Sequence, residues 1–176
     1  MALPKIDTPV YELDLPLSKK HIRFRPFLVK EQRNLMMALE SDEKETIERN
    51  VRQVLQNCTL TENIDIDKLP VVDVEYYFIN LRAKSVGEIV ENNYICNNEV
   101  DGKSCGNKMK VNIDLNDINI ENLKENFDII QITPKISMKL KYPEFSVIEK
   151  MSGNENSVET AFGIIANSIE YIFDGD

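Results

Sequence analysis

The apolar residues change their repeat around Gly87, and that change limits the possible folds more than any single motif. Upstream, from Leu28 to Leu81, they return every three or four residues, as in helices that bury one face. "PFLVKEQRNLMMALE" brings Leu28, Leu35, Met36 and Leu39 onto one helical face, with Pro26 suited to the position just before it. Ser41 and Asp42 offer an N-cap for a second helix, in which Ile47, Val51, Val54, Leu55 and Cys58 recur. A third helix is expected from near Pro70 through "VVDVEYYFINLRAKS", with Val74, Tyr77, Phe78 and Leu81 inward and Gly87 closing the region.

Strands are expected on both sides of this helical cluster. "PVYELDLP" and "HIRFRPF" alternate at period two and can pair through "LSKK", with Ile22 and Phe24 facing one way and Arg23 and Arg25 the other. Beyond Gly87, "EIVENNYIC" and "KMKVNIDL" alternate around the turn residues of "EVDGKSCG". "FDIIQIT" and "KISMKLKY" read as a further pair. A short helix should follow Pro143, using Phe145, Ile148 and Met151, and a last helix should carry Val158, Phe162, Ile165, Ile169 and Phe173 on one face. The class is α+β: an N-terminal strand pair, a helical cluster, a central β-hairpin region and C-terminal helices. Natural divisions fall at 1–87, 88–142 and 143–176, which can also form one domain.

A net charge of -9 argues against a nucleic-acid backbone or an anionic membrane as the main partner. No run of eighteen apolar residues occurs, and "MALPKIDTPV" lacks the layout of a signal peptide, so residence in the cytosol is expected. Three cysteines in such a compartment are reduced thiols or metal ligands before they are disulfides.

Two of them, Cys96 and Cys105, occupy the first positions of what would be two zinc knuckles. Four soft ligands are needed, yet the second positions hold Glu99 and Lys108, and an ammonium repels the metal. The turn therefore reads as a degenerate knuckle whose candidate ligands are Cys96 and Cys105 alone, and no cofactor is expected. A metal site completed by Glu99 or by another chain, and a disulfide, stay open at this point. No glycine-rich phosphate loop, nucleophile elbow or paired helical histidines occur, and His21 reads as a surface or packing residue. "IRFR", with Lys19, Lys20 and Lys30, makes a basic patch in an acidic protein, so Arg23 and Arg25 are the candidate partner contacts.

The blocks "YELDLPLSKKHIRFRPFLVKEQRNLMMALES", "VRQVLQNCTL" and "LPVVDVEYYFINLRAKSVGE" together resemble the baseplate hub subunit and hub-assembly family of T-even-type contractile-tailed bacteriophages. The resemblance runs from about Tyr11 to Asp176 and is strongest in the first ninety residues. It implies a non-enzymatic viral protein made late in the host cytoplasm, which helps to build the central hub of the tail baseplate. The implied partners are other hub or hub-assembly proteins, and the chain would either remain in the virion tail or leave as a chaperone. Two departures stand out. The residues at Glu99 and Lys108 prevent zinc from being carried over, and the resemblance implies a further acidic, helical segment after "IEYIFDGD". A zinc-ribbon-like adaptor or an enzyme is the competing reading, against which the acidity and the missing ligands weigh.

Overall fold

The computed structural model describes residues 7–41, 43–100, 102–121, 123, 127, 129–147 and 157–174. β1 (Tyr11–Asp14) and β2 (His21–Phe24) pair antiparallel, with Glu12 opposite Arg23 and Asp14 opposite His21. Their alternation sends Ile22 and Phe24 into the core and leaves Glu12, Asp14, His21 and Arg23 on the outer face. The helical cluster follows as α1 (Val29–Glu40), α2 (Lys44–Cys58) and α3 (Val71–Val86).

Helix ends explain where these elements start and stop. In α1 the Glu31 carboxylate sits in the first turn and accepts the Leu28 N–H at 2.7 Å, half of a capping box. Ser41, expected to cap α2, instead ends α1: its hydroxyl donates to the Ala38 carbonyl at 2.7 Å. The N-cap of α2 is Glu43, whose carbonyl takes the Ile47 N–H, and Asp42 lies outside the described residues. Gly87 terminates α3 at φ 123°, a conformation that a side chain would strain.

One core joins the strand pair to α2 and α3. Leu15, Ile22, Phe24, Val54, Leu55, Cys58, Val74, Tyr77 and Leu81 are buried in it, as the helical spacing requires. Each fully buried Leu, Ile or Phe contributes about 1.5–3 kcal/mol. Tyr77 packs edge-on against Phe24 with centroids 5.4 Å apart, and its hydroxyl pairs with Thr59 Oγ1 at 3.0 Å. Phe78, expected inward, is half-buried: it packs against the core on one side and faces a groove on the other.

Downstream of α3 the chain turns to strands. β3 (Ile89–Ile95) pairs with β6 (Lys108–Asp114), and at the tip a small ladder joins β4 (Glu99–Val100) to β5 (Lys103–Ser104). A three-stranded sheet follows, ordered β7 (Ile130–Gln131), β8 (Ile136–Leu140), β9 (Ile169–Asp174).

The helical residues 145–147 bring Phe145 into the main core, where the Arg52 guanidinium lies over its ring at 5.8 Å. Ile148 and Met151, assigned to the same short helix, fall outside the described residues. The last helix, α4 (Ser157–Asn167), is shorter than its spacing suggests. Ile169 and Phe173 belong to β9, not to the helix. A separation of four keeps two side chains on one face of either a helix or a strand, so this pair cannot distinguish them. Pairing with β8 decides the matter, because it gives the backbone of 169–174 its hydrogen-bond partners.

Candidate functional site

Arg23 and Arg25, expected side by side on a basic strand face, part company in the structure. The Arg23 side chain is 58% exposed on the outer face of the hairpin, 3.9 Å from Glu12. The strand edge beside it is not open. The Leu60 N–H donates to the Arg23 carbonyl at 2.8 Å, and the Arg23 N–H donates to Thr61 Oγ1 at 2.7 Å. What Arg23 offers a partner is therefore its guanidinium, not an unpaired β edge.

Arg25 turns inward and is only 16% exposed. Its guanidinium donates to Glu31 Oε1 at 3.1 Å, to the Pro26 carbonyl at 2.9 Å and to Cys58 Sγ at 3.6 Å. The strand ends at Phe24, so the alternation that would have held Arg25 outward ends one residue too soon. Glu31 is its reason for turning: the carboxylate is 2% exposed and has to be matched by charge and hydrogen bonds. Burial opposes ionisation of Glu31, but the Leu28 N–H and the Arg25 guanidinium outweigh it, helped by Lys30, and hold the carboxyl below its ordinary 4.5. The sequence carries only half of a capping-box pattern here, Glu31 without a Ser, Thr, Asp or Asn three residues before it.

A second buried carboxylate was also missed. Asp73, in the first turn of α3, accepts the N–H groups of Leu17 and Ser18, each at 2.8 Å, and fastens the β1–β2 turn to the helix. Two acids near the start of α3 are structural in part. Asp65 Oδ1 accepts the Asp67 N–H at 3.1 Å, and Asp67 pairs with Arg52.

Backbone hydrogen bonds close the cysteine turn. The Cys96 N–H donates to the Asn107 carbonyl at 2.8 Å, the Cys105 N–H to the Asn98 carbonyl at 2.7 Å, and the Gly106 N–H to the Cys96 carbonyl at 3.1 Å. Both cysteines are free thiols at the same end of the β3–β6 ribbon. Among the described residues, no group of three or more His, Cys, Asp or Glu side chains is placed to hold a metal ion. Cys58 is different: it is fully buried, and burial pushes its thiol up to about 11.

Exposed apolar surfaces lie elsewhere. On α1, Val29, Met36, Met37 and Leu39 are all more than half exposed, while Glu31 and Ala38 are buried. Apolar spacing finds a helix but does not say which side its neighbours cover. Beside α1, the three helices enclose a groove of about 340 Å³, to which α1 contributes Leu35, Met36 and Leu39. Phe27, with Ile47 and Val51 of α2 and Phe78 and Val86 of α3, completes its apolar walls, and among the described residues Arg82 is the charged side chain that lines it. The β3–β6 ribbon also has one apolar face, where Val90 stands opposite Ile113 and Tyr94 opposite Met109. Isolated proteins rarely leave surfaces of this kind in water without a use for them.

Among the described residues, no helix is long and apolar enough to cross a membrane. No curated protein and no solved structure matches the chain. A family model described as T4 bacteriophage base plate protein matches residues 8–176, which takes in both the helical core and the strands beyond it. The chain belongs to this family of T4-type phage baseplate proteins.

Proposed function

We propose that this protein is a non-enzymatic component of the central hub of the baseplate, working as a structural subunit or assembly chaperone through contacts with other hub proteins. It would be made in the host cytoplasm and act there during tail assembly, before or while joining the virion baseplate. The supporting observation is the row of large apolar side chains that α1 holds in water, Val29, Met36, Met37 and Leu39. Methionine-rich helical surfaces adapt to partners, and their burial supplies most of the driving force for association.

Arg23 is the polar anchor proposed for this contact, since arginine is favoured at interfaces and its charge contrasts with a chain of net charge -9. Arg25 supports the patch from within by holding Glu31. The test is Arg23→Glu, with folding followed by circular dichroism and function followed by complementation of hub assembly during infection. A folded variant with reduced co-purification of hub proteins and fewer completed hubs is expected. Normal hub yield from a folded Arg23→Glu protein would remove this residue from the contact.

A further inference from the structure

Cys96 and Cys105 are diagonal neighbours at the end of the β3–β6 ribbon. The ladder keeps one register on both sides of them, with Ile95 opposite Lys108 and Glu99 opposite Ser104. Cys96 therefore stands against Asn107 and Cys105 against Asn98, and both pairs are hydrogen-bonded. In a regular ladder such diagonal partners lie about 7–8 Å apart. This ladder is tighter at the cysteines. The Cys96 N–H donates to the Asn107 carbonyl at 2.8 Å, but the Cys96 carbonyl accepts the N–H of Gly106 at 3.1 Å, the residue covalently joined to Cys105. Gly106 has φ 60°, the left-handed conformation that lets one arm set two residues against one. Through that hydrogen bond the two cysteine Cα atoms are at most about 8 Å apart. A disulfide spans about 4.4–6.8 Å between Cα atoms, so a small shift of the turn is enough.

Both thiols are also reached by solvent. Cys105 is exposed and Cys96 partly so, while Cys58 lies buried in the core. We propose that Cys96 and Cys105 form a redox clasp, two free thiols in a reducing medium that close into an intramolecular disulfide when a low-molecular-weight disulfide is the oxidant. The more exposed Cys105 thiolate attacks one sulfur of the oxidant, whose S–S bond breaks and releases one thiol. The Cys96 thiolate then attacks the Cys105 sulfur of the mixed disulfide and expels the second thiol. The protein loses two electrons and two protons, and the oxidant leaves as two thiols. Closure links the two arms covalently where β3 and β6 give way to the β4–β5 ladder. The clasp is open in the reducing cytosol and closed in an oxidising medium outside a cell. It does not depend on the hub role proposed above.

The test is incubation of the folded full chain with oxidised glutathione, read by intact mass and by free thiols counted in denaturant. Free thiols should fall from three to one, and the mass should drop by that of two hydrogen atoms. Digestion should yield a species in which Cys96 is joined to Cys105, and dithiothreitol should restore both thiols. The second step is intramolecular, with an effective concentration in the millimolar range. At about 0.1 mM reduced glutathione the closed form should therefore exceed the singly glutathionylated form about tenfold or more. Cys96→Ser and Cys105→Ser should each stop at a stable mixed disulfide on the remaining ribbon thiol. The wild-type readouts decide the matter if either variant fails to fold.

Stable glutathione adducts on both ribbon cysteines without an internal link would overturn the proposal, because they would show the thiols unable to meet. Disulfide-joined dimers in place of the internal link, or a link to Cys58, would overturn it as well. So would ribbon thiols that stay free throughout.

Discussion

Asp73 and Ser18 are 55 positions apart in the chain, yet the buried carboxylate of one accepts the backbone N–H of the other at 2.8 Å. The second oxygen of Asp73 does the same for Leu17, so one side chain secures the turn between β1 and β2 against the first turn of α3. Two backbone donors that helped to form no strand ladder are thereby satisfied. The carboxylate also lies where the helix dipole favours negative charge.

Removal of that carboxylate should loosen the hairpin from α3. Asp73→Ala leaves two N–H groups without their acceptor, at about 1–3 kcal/mol each, and a total loss of roughly 2–5 kcal/mol is expected in urea unfolding. Asp73→Asn turns one acceptor into a donor and should fall between that variant and wild type. A midpoint unchanged in Asp73→Ala would contradict the clamp.

The Glu31 carboxyl titrates below its ordinary 4.5 in the folded protein, so folding favours its ionised form. The stability it contributes is fully present above that ordinary value and is lost as pH falls through the lower folded value. Wild type should therefore exceed Glu31→Gln in stability at neutral pH, and the gap should narrow on acidification to about pH 3. Denaturant midpoints of both proteins across this range provide the check. A gap that stays constant would mean that the Arg25–Glu31 pair does not depend on charge.

Phe78 and Tyr77 are neighbours with different duties. Tyr77 is fully buried, and Tyr77→Ala should cost about 3–5 kcal/mol, the range for an aromatic ring lost from a core. Phe78 is half-buried beside the groove, and Phe78→Ala should cost clearly less, about 1–3 kcal/mol. Thermal unfolding of the two variants side by side tests this order. Equal losses would show that the groove wall at Phe78 is core.

The three cysteines should separate by reactivity. Cys58 is buried with its thiol pushed up to about 11, whereas Cys96 is partly exposed and Cys105 exposed. A thiol reagent should label Cys96 and Cys105 in the native protein and reach Cys58 only on unfolding. We expect zinc well below one per chain and no change in thermal midpoint with a chelator, because a structural site contributes about 10 kcal/mol or more. One tightly held zinc per chain, with unfolding in chelator, would restore the knuckle as a metal centre.

Helical spacing located α1, α2 and α3, and period-two alternation located the paired strands, because both follow from burying one face of an element. The same reasoning failed at Ile169 and Phe173, where a spacing of four suits both periods. It also failed at Arg25, since a strand pattern cannot announce that the strand ends at Phe24. Asp73 and Glu31 escaped notice for a related reason. An acid in the first turn of a helix is ordinary, and only the chain packed against it makes it structural. The groove could not be read from sequence at all, because it is defined by what three helices leave uncovered.

The proposed function is contact within the baseplate hub. The most direct test is a pull-down of the tagged full chain from phage-infected cells during tail assembly, with identification of the proteins that co-purify. The account predicts that hub proteins are recovered with the wild type and depleted with a folded Arg23→Glu variant. Recovery of no baseplate protein by a folded, functional tagged chain would contradict it.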